Sequence, residues 1–172
     1  MTENTFEVDF RKRFEDYDHS ISPGESNGDF TITFKETSKI IFVRTELPEV
    51  REYIKEPAPF YNARAAEIFR FSLNDPSVIP DYYAFIFRNN LTGKNEYLII
   101  ETAELLARLA KIPEKPDRNG YYELLMWALP DDGIFIANSV SAEGEWYLLG
   151  SGLWKGGDWD FSGYLNRWDP FY

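Results

Sequence analysis

Tyr82-Tyr-Ala-Phe-Ile-Phe87, Arg88-Asn-Asn-Leu-Thr-Gly-Lys-Asn95 and Glu96-Tyr-Leu-Ile-Ile100 form the stretch that decides how this chain folds. Two apolar runs rich in aromatic and β-branched residues flank a loop of Asn, Thr and Gly, which is the pattern of a hairpin. Thr102 follows as a helix cap. Leu105, Leu106, Leu109 and Ile112 then recur at helical spacing until Pro113 stops the helix. Strand, loop, strand and capped helix make a nucleus on which the flanking segments pack.

Upstream, Phe6, Phe10, Phe14 and Tyr17 fall on one face of a helix predicted over 4–21, with charged residues between them. Phe30-Thr-Ile-Thr-Phe-Lys35 alternates as a strand with one wet face does, whereas Ile40–Val43 is apolar without alternation and predicts a strand covered on both sides. Leu47-Pro48-Glu49 opens a helical turn with Val50, Tyr53 and Ile54 on its apolar side. Tyr61–Leu73 suits a helix, with a strand over Ile68–Leu73 as the alternative. Downstream, Tyr121–Leu129, Ile134–Val140 and Trp146–Leu149 predict a three-stranded meander joined by Pro130-Asp-Asp-Gly133 and Ser141-Ala-Glu-Gly-Glu145. Asp160 then caps a short helix carrying Phe161, Tyr164, Leu165 and Trp168. The expected fold is α+β or mixed α/β in a single domain spanning 1–172. A mixed central sheet is flanked by helices over 1–112, and an acidic, aromatic meander with a terminal helix occupies 113–172.

The 172 residues, 44% hydrophobic and 17% aromatic, can bury a sizeable core. No linker-like or low-complexity tract and no fixed-period repeat divides the chain. Cysteine is absent, which removes disulfides and thiolate metal sites and agrees with a cytoplasmic location. No apolar run approaches the roughly 20 residues that span a bilayer, so no membrane attachment is expected. The net charge of −11 is unevenly placed, since residues 121–172 hold two Lys/Arg against eight Asp/Glu. Such a surface repels a phosphate backbone and disfavours broad nucleic-acid binding. Arg11-Lys12-Arg13 is the one basic run, and acids follow it at Glu15, Asp16 and Asp18.

Single chemical motifs are weak. His19 is the only histidine and has no cysteine to join it, so it reads as a solvated helix residue. Asp131-Asp132-Gly133, after Pro130, reads as a turn. Gly152 and Gly157 have P-loop separation, but Asp158 and Trp159 stand where Lys and Ser/Thr belong. Trp146, Trp154, Trp159 and Trp168 fall in one short acidic region, either as a small core fastening the last helix or as partner anchors. Trp154 and Trp159, in the glycine-rich loop, are the expected exposed pair.

One constellation carries possible metal chemistry. Asp29 opens a strand, and the next strand bears Phe42-Val43-Arg44-Thr45-Glu46, with alternate positions sharing a face. Together with the element order over residues 3–112, this resembles the restriction-endonuclease-like PD-(D/E)XK superfamily, whose members cleave nucleic acid with Mg²⁺ on an αβββαβ-type core. The resemblance implies Asp29 as the first acid and Arg44 in the lysine place; Glu46, which shares the face of Arg44, is the substitute for the second acid in the alternative reading. Phe42 occupies that acid's own position, and a phenyl ring offers Mg²⁺ no oxygen. The preferred expectation is therefore a non-catalytic binding protein without a cofactor or bound metal. It would engage a protein partner through an acidic, Trp-rich C-terminal surface, with Trp154 and Trp159 as anchors and Asp158, Asp160 and Asp169 steering association. A Mg²⁺-dependent nuclease using Asp29, Glu46 and Arg44 is the alternative.

Overall fold

The computed structural model describes residues 5–23, 30–34, 40–44, 63–72, 80–111, 116–138 and 151–171. Among them, helix α1 (Thr5–Arg13) precedes strands β1 (His19–Pro23), β2 (Phe30–Phe34) and β3 (Ile40–Arg44). Strands β4 (Ala65–Ser72), β5 (Tyr82–Arg88) and β6 (Asn95–Glu101) lead into helix α2 (Thr102–Lys111), followed by β7 (Tyr121–Ala128) and β8 (Ile134–Asn138). The strands form a five-stranded sheet, ordered β1-β2-β3-β5-β6, and a three-stranded sheet, ordered β4-β7-β8. The larger sheet is mixed, because β3 and β5 run parallel while its other neighbours run antiparallel. Between β3 and β5 the chain visits the smaller sheet as β4, and that excursion returns β5 in the direction of β3. The fold is a mixed α+β single domain.

Alternation along the strands builds three apolar layers. Tyr83, Phe85 and Phe87 of β5 meet Phe69 and Phe71 of β4 and Met126 of β7 between the sheets, and α2 contributes Leu105 and Leu109 to that core. The opposite face of β5 carries Tyr82, Ala84 and Ile86, which pack with Phe10 of α1 and Phe14 just beyond it. Strand β5 is thus covered on both sides, in keeping with its unbroken apolar run. The outer face of the small sheet carries Leu125, Trp127 and Phe135 and is covered by Trp154.

The central hairpin and the helix after it agree with expectation, except that the Thr102 hydroxyl donates to the Pro80 carbonyl instead of capping its own helix. Several other elements differ. Tyr61–Leu73 is not helical where described: Ala65–Ser72 is a strand with strictly alternating burial, and it pairs with β7 along eight positions. The i, i+3 and i+4 coincidences of Ala65, Ala66 and Phe69 misled because a period of two fits Ala65, Phe69 and Phe71 equally well, and a long antiparallel partner settles the choice. Helix α1 stops at Arg13, and His19 lies in β1, its Nδ1 2.7 Å from the Tyr17 carbonyl oxygen. The small sheet takes β4 as its third strand; the predicted strand Trp146–Leu149 and the helical turn at Leu47–Ile54 lie outside the described residues.

The expected terminal helix also resolves differently. Ser162–Tyr164 makes one 3-10 turn, after which Leu165 becomes extended and bridges Leu98 of β6. Asn166 adopts φ 51°, donates its amide to the Tyr97 carbonyl at 2.6 Å and accepts the Tyr97 amide on its side chain at 3.2 Å. Bonding the free edge of β6 satisfies backbone groups that a continuing helix would leave exposed. Trp168 and Phe171 consequently land on the far face of the large sheet, beside Phe10 and Phe14.

Candidate interaction surfaces

The loop over 151–161 is held to the small sheet at many points. The Ile136 amide donates to the Trp159 carbonyl at 3.0 Å, and the Phe161 amide donates to the Ile134 carbonyl at 2.8 Å, closing the outer edge of β8. Trp154 is 1% exposed, its ring edge-on to Phe135 at 5.7 Å. Gly133 makes room for it: a Cβ there would lie 2.9 Å from the indole. Trp154 is therefore not an outward anchor, because its indole buries more apolar area against the β7–β8 turn than it could in water. Trp159 is half-buried against two of the cores, and its indole nitrogen is enclosed without a hydrogen-bond partner among the described residues.

Of the three acids predicted to steer association, Asp169 stays exposed with Arg167 3.8 Å away, whereas Asp160 and Asp158 have internal work. Asp160 accepts the Gly156 amide at 2.7 Å on one oxygen, and the Ser162 amide and hydroxyl at 3.0 and 2.5 Å on the other. Burial pushes its carboxyl upward, but these hydrogen bonds and the Arg108 charge outweigh that and hold it below the ordinary aspartate value. Asp158 lies 3.4 Å from Lys111, and its carbonyl accepts from Arg108 at 3.3 Å. Arg108, on α2, donates to the Asp160 carbonyl at 2.9 Å and to the Tyr164 hydroxyl at 2.9 Å, while that hydroxyl donates to Glu104 at 2.6 Å. One guanidinium thus fastens the loop to the helix, in a fork geometry that lysine lacks.

What remains outward on this side is a different set of residues. Leu153 is 68% exposed although its neighbour Trp154 is buried. Asp131 pairs with Lys155 at 2.6 Å, and this hydrogen bond holds its carboxyl below the usual range. The Asp132 side chain is 84% exposed, with Arg64 3.1 Å away. The β7–β8 turn and the loop after Ser151 thus present two paired carboxylates and one exposed leucine, an acidic ledge.

Arg64 was not singled out by sequence. Its side chain is buried at the start of β4, where it pairs with Glu96 of β6 at 2.9 Å and donates to the Leu129 carbonyl. Asn89 donates to the other Glu96 oxygen at 2.6 Å. The cluster ties the hairpin of the large sheet to the β7–β8 turn of the small one. Its partners are 32 and 68 residues away, so no local pattern announces them.

None of the residues implied by the nuclease resemblance has a described side chain. Asp29 and Glu46 lie outside the described residues, and Arg44 is described by its backbone only. In the ladder, Phe42 stands level with Tyr83 and Arg44 with Phe85, whose rings belong to the core between the sheets. Among the described residues, no three His, Cys, Asp or Glu side chains gather as metal ligands would. No helix among them is long and apolar enough to cross a membrane. Comparison of the chain with known protein families, with curated proteins and with solved structures finds no match.

Proposed function

We propose that this chain is a non-catalytic binding protein that engages a basic protein partner through the acidic ledge formed by the β7–β8 turn and the loop over 151–161. The observation that carries this reading is Leu153, 68% exposed on a loop whose next residue is among the most deeply buried in the molecule. An apolar side chain held outward by an ordered backbone loses little conformational freedom on docking. The β7–β8 turn and the loop also carry Asp131, Asp132 and Asp158, whose carboxylates are largely exposed and favour encounter with a cationic surface, although each has one cation of the chain within 3.4 Å. Trp154 and Asp160 serve binding indirectly, by fixing the loop that presents Leu153. Trp159 buttresses the same loop.

A photo-crosslinking residue in place of Leu153, compared with one at exposed Val8 on α1, tests this in lysate of the native cells. The expected result is a discrete adduct with one basic protein at position 153, absent at position 8 and weakened by Asp132→Lys. Adducts of equal yield at both positions, or none at 153, would defeat it.

A further inference from the structure

Beside α1, on the face of the large sheet turned away from the small one, the charge reverses. Asp9, Lys12 and Arg13 share one face of α1 at i, i+3 and i+4, and that face borders the hairpin residues Gly93, Lys94, Asn95 and Tyr97 around a cavity of about 700 Å³. Three cations thus surround one carboxylate in a chain whose net charge is −11. The floor is built. One Asp9 oxygen accepts from the Tyr97 hydroxyl at 2.9 Å and from the Asn95 amide at 2.6 Å. Burial, followed by the hydrogen bond to Asp9, pushes the Tyr97 phenol upward, so it stays a donor to that carboxylate at any physiological pH. The Arg13 guanidinium stacks over Trp168 at 4.3 Å, which places its charge at the groove. Lys12 and Lys94 are exposed, and their ammonium groups have no ion-pair partner among the described residues.

We infer that this groove binds a small phosphate monoester that also carries hydroxyl groups, a sugar or polyol phosphate. Lys12, Lys94 and Arg13 supply the phosphate's counter-charge, lysine serving here as a compact point charge. The remaining Asp9 oxygen accepts from a ligand hydroxyl, a role the cations cannot fill. The cavity is in the range of small-molecule sites. Among the described lining residues the one ring, Tyr97, is 5% exposed and offers no stacking platform, so a nucleobase would gain little from it. Gly93, at φ +69° with only the end of Arg88 near its missing Cβ, leaves the hairpin rim open to a ligand.

Calorimetric titration with ribose 5-phosphate, with ribose and inorganic phosphate as separate controls, tests the inference. Ribose 5-phosphate is expected to bind about ten-fold tighter than inorganic phosphate and to weaken as salt rises toward about 0.3 M. Lys12→Ala combined with Lys94→Ala, both at exposed positions, is expected to lower affinity about ten-fold or more. Asp9→Asn keeps an oxygen for Tyr97 and is expected to erase the advantage over inorganic phosphate. Equal affinity for the sugar phosphate and for phosphate, or affinity unchanged by the lysine variants, or no heat at millimolar ligand, would overturn it. A null result here leaves the Leu153 crosslink unaffected, because the two sites lie on different elements.

Discussion

Residues 151–164 and 165–171 are consecutive parts of one aromatic tail, yet they build opposite surfaces. The first part lays Trp154 against the outer face of the small sheet, and Lys155 lies over the indole at 5.9 Å while pairing with Asp131. The second part crosses the edge of β6 and lays Trp168 against α1, with Arg13 over its ring at 4.3 Å. In both halves the ring is buried and a cation covers it. What differs is the neighbouring element: the β7–β8 turn brings carboxylates, whereas the last turn of α1 brings Arg11, Lys12 and Arg13. The tail's tryptophans therefore act as fasteners, and recognition falls to the charged rims around them.

That contrast can be broken at its fasteners. Trp154→Ala should destabilise the fold by about 3–5 kcal/mol, as loss of a buried large aromatic does, and should loosen the ledge while the α1 groove stays intact. Chemical denaturation gives the first quantity, and binding of ribose 5-phosphate by the remaining folded fraction reports the second. Arg64→Met comes next, at about 3 kcal/mol, because it leaves the Glu96 carboxylate without its cation in a nearly enclosed site. Equilibrium unfolding of that variant beside Glu96→Gln and the double variant would isolate the coupling. Gly133→Ala should cost about 1–3 kcal/mol by driving a methyl into the Trp154 ring, with no effect on the α1 side.

Smaller effects sharpen the same comparison. Asp160 has a folded-state pKa held below its unfolded value, so its stabilising contribution is present above about pH 4 and is lost as pH falls through the folded value. The stability gap between the native chain and Asp160→Asn should consequently shrink as pH is lowered from neutrality to below about 4, and a gap that widened would contradict the hydrogen-bond pattern. Leu153→Ala should change stability by less than about 0.5 kcal/mol and still lose the partner adduct, which separates presentation from folding.

Much of this architecture was legible from local pattern. The hairpin from Tyr82 to Glu101 has turn residues between runs that are apolar over 82–87 and 97–100, and Leu105 and Leu109 have no rival period to confuse them. Ala65–Ser72 was not legible, since both periods fit and the deciding partner, β7, lies about 50 residues away. The tail departs from its expected helix for a related reason: Phe161, Tyr164, Leu165 and Trp168 keep helical spacing, but Asn166 breaks the run to bond the edge of β6. Of the candidate surface, the acidic balance was plain in the composition. The burial of Trp154 depends on the space above Gly133, and the basic groove depends on α1 meeting Lys94 across the fold, so neither leaves a signal in any short stretch.

Native-state hydrogen exchange is the most direct test that the tail is part of the folded core. The Phe161 and Asn166 amides, bonded to Ile134 and Tyr97, should exchange only on global unfolding, at rates matching those of the β5 ladder. Exchange of those two amides through local opening, orders of magnitude faster than β5, would mean that Trp154 and Trp168 do not fasten the tail, and the rigid ledge that presents Leu153 would be lost with them.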